Sequence, residues 1–155
     1  MPFRKMQWYF PYALTLHNAE EAVFMPRWIA VHGSPLPFHG SVVKIWLGLL
    51  LISVGAFVLT HFSDKKGRQS VPAYLLFGSI AALLANVFIP HIPATLLFHT
   101  YTPGIVTAVL INLPLCVALL RRAVRDGWAT GNKAIASAVL VPVVLAGALV
   151  AYFGF

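Results

Sequence analysis

Residues 42–62 read VVKIWLGLLLISVGAFVLTHF, and Lys44 is the one Lys, Arg, Asp or Glu among them. A helix rises about 1.5 Å per residue, so about 20 apolar residues cross the roughly 30 Å hydrocarbon core of a bilayer. Lys44 lies near one end, where a long basic side chain can reach the membrane interface. The stretch therefore predicts a transmembrane helix.

Similar apolar stretches occur on both sides of this one. The 155 residues are 59% hydrophobic and 10% charged, with a mean hydropathy of +0.82, which excludes an ordinary soluble domain. We expect an all-α membrane protein, a compact bundle of five transmembrane helices forming one domain over residues 1–155. The predicted spans are residues 6–25, 42–62, 71–91, 103–120 and 133–153.

The first span is predicted to end near Pro26, since a proline interrupts the helical hydrogen bonds. It carries charges and is followed by no small-residue cleavage site, so we expect it to stay in the mature protein and not to act as a signal peptide.

Basic residues concentrate in three clusters, which hold nine of the 11 Lys and Arg residues. The clusters lie before span one, between spans two and three, and between spans four and five. By the positive-inside rule they predict a cytoplasmic N-terminus and an outside C-terminus in the cell's inner (plasma) membrane. The net charge of +7 therefore needs no nucleic-acid partner. The members are Arg4, Lys5, Lys65, Lys66, Arg68, Arg121, Arg122, Arg125 and Lys133.

Span one contains an unusual polar group in the sequence TLHNAEEAVF, residues 15–24. His17 is followed at i+3 and i+4 by Glu20 and Glu21, so the three side chains share one side of a helix. Carboxylates at this depth are costly, and a metal, a cation such as Arg27 or Lys44, bound protons or a cationic substrate would have to compensate them.

Spans three and four bring further polar residues to a similar depth. Asn86 and His91 lie late in span three, where Pro90 is expected to break or bend the helix. Small residues around Gly78 are expected to let another helix approach closely. Tyr101 precedes span four, and Thr107 lies one turn inside it.

We predict a divalent metal at this convergence, zinc, iron or manganese, because imidazole and carboxylate ligands suit these ions. The candidate ligands are His17, Glu20, Glu21, His91 and His99. Glu21 is also a candidate general base, with Asn86, Tyr101 and Thr107 positioning substrate. The spacing H-x-x-E-E differs from the H-E-x-x-H of zinc proteases, so that function cannot be transferred.

The sequence HNAEE at residues 17–21 resembles the HXXEE-domain family of small prokaryotic membrane proteins. Asn86 and His91, late in span three, and YTPGIVTAV at Tyr101–Val109 are similar to later features of that family. The resemblance covers spans one to four and implies a suspected enzymatic activity.

Three functions are compatible with these residues. We favour a metal-dependent, hydrolase-like membrane enzyme whose substrate is a lipid or another amphiphile in the outer half of the bilayer. The second is a proton-coupled carrier or small-molecule binding protein using the same His/Glu cluster, which with five helices would need a homodimer. The third is a structural subunit in which the glutamates pair with Arg27.

Overall fold

The computed structural model describes residues 1–33 and 41–154, with side chains up to Tyr152. Every element in this part of the chain is helical. The helices are α1 Phe3–Met6, α2 Tyr9–His32, α3 Val42–Lys66, α4 Val71–Asn86, α5 Ile92–Phe98, α6 Ile105–Thr107, α7 Leu113–Arg125 and α8 Gly131–Gly154. Wider π-helical turns connect α4 to α5 over Val87–His91 and α6 to α7 over Ala108–Asn112.

Four helical segments of the described chain are long and apolar enough to cross a membrane: Val42–Lys66, Val71–Phe98, Ile105–Arg125 and Gly131–Tyr152. The remaining predicted span, span one, corresponds to α2, whose 24 residues give a length of about 36 Å. Its His17, Glu20, Glu21 and Arg27 make it more polar than the other four.

Helix α2 lies antiparallel to α3. Ser63 donates a hydrogen bond to Gln7 at one end of the pair, and Asn18 donates to the Leu49 carbonyl and to Ser53 midway. At the other end, the Trp46 indole N–H donates to the Ala22 carbonyl over 2.9 Å. Thus α2 extends along much of the length of an apolar helix that can span the membrane.

The predicted stop at Pro26 is wrong, because α2 continues through this proline to His32. Pro26 has no N–H to give to the carbonyl of residue 22, four positions earlier. The Trp46 indole supplies the missing donor to that carbonyl, so the proline is accommodated inside the helix.

The basic clusters gather at one end of the bundle. Arg4 pairs with Asp64 at 2.7 Å, and the Phe3 backbone N–H donates to Asp126, also at 2.7 Å. At the opposite end, the Tyr152 hydroxyl near the end of α8 donates to the Lys44 carbonyl near the start of α3. The first helix and the last described turns therefore lie at opposite ends.

Helix α4 is central and packs against α3, α7 and α8. A Cβ on Gly78 would lie 2.5 Å from the Ser137 carbonyl oxygen and 2.6 Å from Val141. The close helix approach predicted at Gly78 is confirmed, and the partner is α8. Buried core residues that join the helices include Phe3, Phe10, Leu76, Ile80, Cys116 and Leu119.

The helix formed by α4 and α5 breaks, as predicted, at the polar end of span three. Ile89 has extended backbone angles, φ −146° and ψ 109°, in the region favoured by a residue before proline. The break turns His91 into the bundle, where the residue is 4% exposed. A local backbone feature thus positions one of the candidate site residues.

Candidate functional site

Three side chains from two parts of the bundle converge on one point. His17 Nε2 lies 3.2 Å from His91 Nε2. Glu21 Oε1 lies 3.6 Å from the first of these nitrogens and 3.5 Å from the second. The exposed fractions of the His17, His91 and Glu21 side chains are 2%, 4% and 13%. We call these three residues the His/Glu cluster.

The His17 tautomer follows from its other ring nitrogen. Thr107 Oγ1 lies 2.6 Å from Glu20 Oε2, to which it donates its single proton. Its oxygen is then the acceptor for His17 Nδ1, 2.8 Å away. The network therefore places the His17 proton on Nδ1 and leaves the lone pair of Nε2 facing the His/Glu cluster.

Asn86, the last residue of α4, directs its amide at the same point. Its Nδ2 lies 3.1 Å from His17 Nε2 and 3.0 Å from His91 Nε2. One amide group has two N–H donors, so it can supply one to each ring nitrogen. The amide thus provides the positive partial charge that two facing lone pairs require.

The geometry of the His/Glu cluster fits a metal ion. Bonds of about 2.0–2.1 Å at tetrahedral angles separate neighbouring ligand atoms by about 3.3 Å. The three measured separations, 3.2, 3.5 and 3.6 Å, are close to that value. If His91, like His17, carries its ring proton on Nδ1, no hydrogen lies between the two Nε2 atoms and the carboxylate oxygen. The donor set is therefore three convergent electron-pair donors suited to a divalent cation.

Glu20 has a different role from Glu21. Its carboxylate accepts hydrogen bonds from Thr107 N–H at 2.9 Å, Val106 N–H at 3.3 Å, Thr107 Oγ1 at 2.6 Å and the Tyr101 hydroxyl at 2.7 Å. The two backbone donors lie in the first turn of the helix that begins at α6, where a negative charge is favourable. Glu20 therefore caps that helix from a neighbouring one.

Tyr101 lies in the connection between α5 and α6. Partial burial, followed by its hydrogen bond to Glu20, raises the pKa of the Tyr101 hydroxyl above the ordinary value. The hydroxyl accordingly keeps its proton and remains a donor to Glu20 at neutral pH.

Gly104 closes the site from the side of α6. Its φ of +87° is in the region that favours glycine. An added Cβ would lie 2.6 Å from His91 Cε1, 2.7 Å from His17 Cε1 and 3.1 Å from Glu21 Cγ. A side chain at position 104 would thus collide with all three members of the His/Glu cluster, so glycine is required there.

The structure separates the predicted site residues into three groups. His17, Glu21 and His91 converge, with Asn86 beside them. Thr107, Tyr101 and Glu20 form a neighbouring hydrogen-bonded group joined to the cluster through His17. Glu20, predicted as a ligand, therefore lies outside the cluster. His99 lies outside it as well, exposed and in a left-handed conformation at the end of α5.

The ion pair between Arg27 and a glutamate, one of the predicted ways to compensate the carboxylates, is absent among the described residues. The helix N-terminus and two hydroxyls surround Glu20 instead.

Sequence reasoning missed two buried polar residues, Asn18 beside His17 in the chain and Asn112 between α6 and α7. Asn18 is 6% exposed and fixes α2 against α3. Asn112 is fully buried in the π-helical turn, and its amide has no hydrogen-bond partner in the described part of the chain. Each is a polar residue in an apolar run, and that was the available signal.

An open groove borders the Glu20 group on the surface of the bundle. Its volume is about 630 Å³. Glu20, Thr107 and Tyr101 are its polar members, and its remaining lining is apolar: Leu16, Ala19, Val23, Phe24 and Val106. Thr107, which lines the groove, also hydrogen-bonds to His17 and so connects the groove to the His/Glu cluster.

Comparison with known families identifies the family of this chain. A family model described as "Protein of unknown function with HXXEE motif" matches residues 8–119, from α2 through most of α7. The chain belongs to this HXXEE family. The match includes every residue of the His/Glu cluster and the Glu20 group, and it excludes α8.

A curated relative is the "Uncharacterized protein YrkK" of Bacillus subtilis (strain 168). The two chains are 27% identical over 143 residues, which cover 88% of this chain and 86% of the relative. No solved structure matches the chain.

Proposed function

We propose that the protein is a metal-dependent membrane enzyme that binds one divalent ion at His17, Glu21 and His91. The observation that carries this proposal is the triangle of two imidazole Nε2 atoms and one carboxylate oxygen at 3.2–3.6 Å. Three electron-rich atoms this close together repel one another, and a cation bound at their centre would remove that repulsion.

Zinc is the leading candidate, with iron and manganese as alternatives, because nitrogen and oxygen ligands suit all three. When bound, such an ion would polarise a substrate oxygen or lower the pKa of a water molecule, the chemistry used in hydrolysis.

The residues around the His/Glu cluster have separate tasks in this proposal. Thr107 and Glu20 hold the His17 proton on Nδ1, so that Nε2 stays available as a ligand. Asn86, whose Nδ2 lies 3.0–3.1 Å from both Nε2 atoms, is assigned the role of orienting a substrate oxygen beside the ion. Glu21 has no hydrogen-bond donor among the described residues, so its carboxylate can both bind the ion and accept a proton.

The membrane orientation is part of the proposal. We place the end bearing Arg4, Lys65 and Arg121 in the cytoplasm, because basic residues concentrate on that side of bacterial inner membranes. Helix α2 then crosses as the first of five spans, and the His/Glu cluster lies in the outer half of the inner membrane. The substrate class that fits this location and the apolar groove is a lipid or another amphiphile.

Metal content of the purified protein tests the proposal. We expect close to one zinc, iron or manganese ion per chain by elemental mass spectrometry, and strong loss in His17→Ala, His91→Ala and Glu21→Ala. The matched controls are His99→Ala and His61→Ala, exposed histidines outside the cluster, which should retain the ion. Metal-free wild-type protein, or equal retention in the cluster variants, would contradict the proposal.

A further inference from the structure

The apolar groove continues into a second, more polar depression along α2. The second part has a volume of about 410 Å³ and shares Val23, Phe24 and Tyr101 with the first. It extends to Arg27, Trp28, Val31, His32 and Thr100. One continuous surface therefore changes from apolar to polar along a single helix.

Arg27 is the charged residue at the polar end. It forms no ion pair with any described residue, and it is exposed. The neighbouring Trp28 indole N–H also has no acceptor in the described part of the chain. The indole nitrogen itself is buried, so Arg27 is the exposed cationic donor at this end, and no described carboxylate pairs with it.

The order of these features matches a membrane lipid. Leu16 to Phe24 covers about 12 Å of helix, and Arg27 to His32 lies beyond it, farther from the basic end of the bundle. The apolar part is therefore closer to the middle of the membrane and the polar part closer to its surface. The Glu20 carboxylate, which lines the apolar part, disfavours a second negative group at that depth.

We propose that this groove binds an anionic phospholipid, with the phosphate at Arg27 and one acyl chain along Leu16–Phe24. This inference rests on the proposed function and names its substrate class. The linkage between headgroup and chain then lies at the level of Tyr101 and Glu20, beside the His/Glu cluster. Arg27 is about 9 Å from Glu21 along the helix axis, so the phosphate is held near the cluster without competing for its ligands.

Photochemical labelling tests the binding. Protein is reconstituted into phosphatidylcholine nanodiscs containing a small fraction of phosphatidylglycerol or phosphatidylcholine, each carrying the same photoreactive acyl chain. Mapping the cross-links by mass spectrometry should show several-fold more labelling of residues 16–24 by phosphatidylglycerol. Arg27→Gln should remove this preference, and Arg27→Lys should retain most of it because the positive charge remains.

The matched control is Arg121→Gln, which removes one exposed positive charge at the opposite end of the bundle and should leave the preference unchanged. Equal labelling by the two lipids, or an unchanged preference in Arg27→Gln, would overturn the inference.

The test also separates this inference from the metal proposal. Selective labelling that persists in His17→Ala supports the lipid groove independently of any metal. If wild-type protein is labelled selectively but binds no metal, the lipid-binding inference is retained and the proposal of a metal-dependent enzyme is rejected. If metal-loaded protein is labelled equally by both lipids, the lipid-binding inference is rejected and the metal proposal is retained.

Discussion

His17 connects the two halves of the site through its two ring nitrogens. Nε2 faces His91 and Glu21, and Nδ1 donates to Thr107, which in turn donates to Glu20. The two adjacent glutamates therefore have different roles. Glu21 contacts the two imidazoles directly, whereas Glu20 contacts His17 through the Thr107 hydroxyl. The H-x-x-E-E spacing is used for both purposes.

Gly104→Ala is expected to abolish metal binding. The new Cβ would press on the rings of His17 and His91 and on Glu21 at 2.6–3.1 Å, and it would also add a backbone cost of about 1–2 kcal/mol for a left-handed residue. Elemental analysis together with thermal unfolding measures the two effects separately.

Gly67→Ala is the matched control. Gly67 has a φ of +78°, and a Cβ there would meet nothing within 4 Å. It should lower stability through its backbone conformation alone and retain the metal. Equal metal content in the two variants would show that Gly104 does not shape the site.

At the scale of elements, side chains of one helix satisfy unpaired backbone groups of another. Glu20 caps α6 from α2, and Trp46 of α3 satisfies the carbonyl freed by Pro26 in α2. Asp126 does the same for the N-terminal helix, accepting from the Phe3 backbone N–H. These contacts fix how neighbouring helices align.

Asp126→Asn is expected to destabilise the protein in a pH-dependent way. The hydrogen bond from Phe3, followed by the one from Arg122, lowers the pKa of the Asp126 carboxyl. A lowered folded-state pKa adds stability above the unfolded value of about 3.9, and this stability is lost as the pH falls through the folded pKa. The difference in melting temperature between wild type and variant should therefore be present at pH 7 and shrink below about pH 4.

Circular dichroism of thermal unfolding in detergent measures this difference. Asp64→Asn is the control, because the Arg4–Asp64 pair is more exposed and such pairs contribute little. An Asp126→Asn effect that is no larger than that of the control, or that grows in acid, would contradict the capping role.

The amount that sequence could predict differs between elements. Helices α3 and α8 were predictable because nearly every residue is apolar, and the break after Asn86 because Pro90 marks it. The continuation of α2 past Pro26 was not, since it depends on Trp46, 20 residues later in the chain. The separate roles of Glu20 and Glu21 were also hidden, because spacing in one helix does not reveal which neighbour each carboxylate meets.

At the scale of the whole molecule, the basic residues and the His/Glu cluster lie toward opposite ends. Contacts among α1, the end of α3 and the end of α7 gather three basic segments. The family match ends within α7. Helix α8, which packs on α4, lies beyond the matched residues. No member of the His/Glu cluster or of the Glu20 group belongs to α8.

The proposed orientation predicts the behaviour of reporter fusions. Green fluorescent protein fused after Phe155 should be dark and alkaline phosphatase at the same point active, because the C-terminus lies outside. Fusions after Thr130, before α8, should give the reverse result. A fluorescent fusion at Phe155 would contradict five crossings with a cytoplasmic N-terminus.

The most direct test of the central claim is anomalous scattering from crystals of the protein, recorded above and below the absorption edge of the metal found by elemental analysis. We predict one peak about 2.0–2.1 Å from both His17 Nε2 and His91 Nε2, with Glu21 completing the third contact. A peak elsewhere in the bundle, or none in protein supplied with zinc, iron and manganese, would contradict the claim that the HXXEE residues form a metal site.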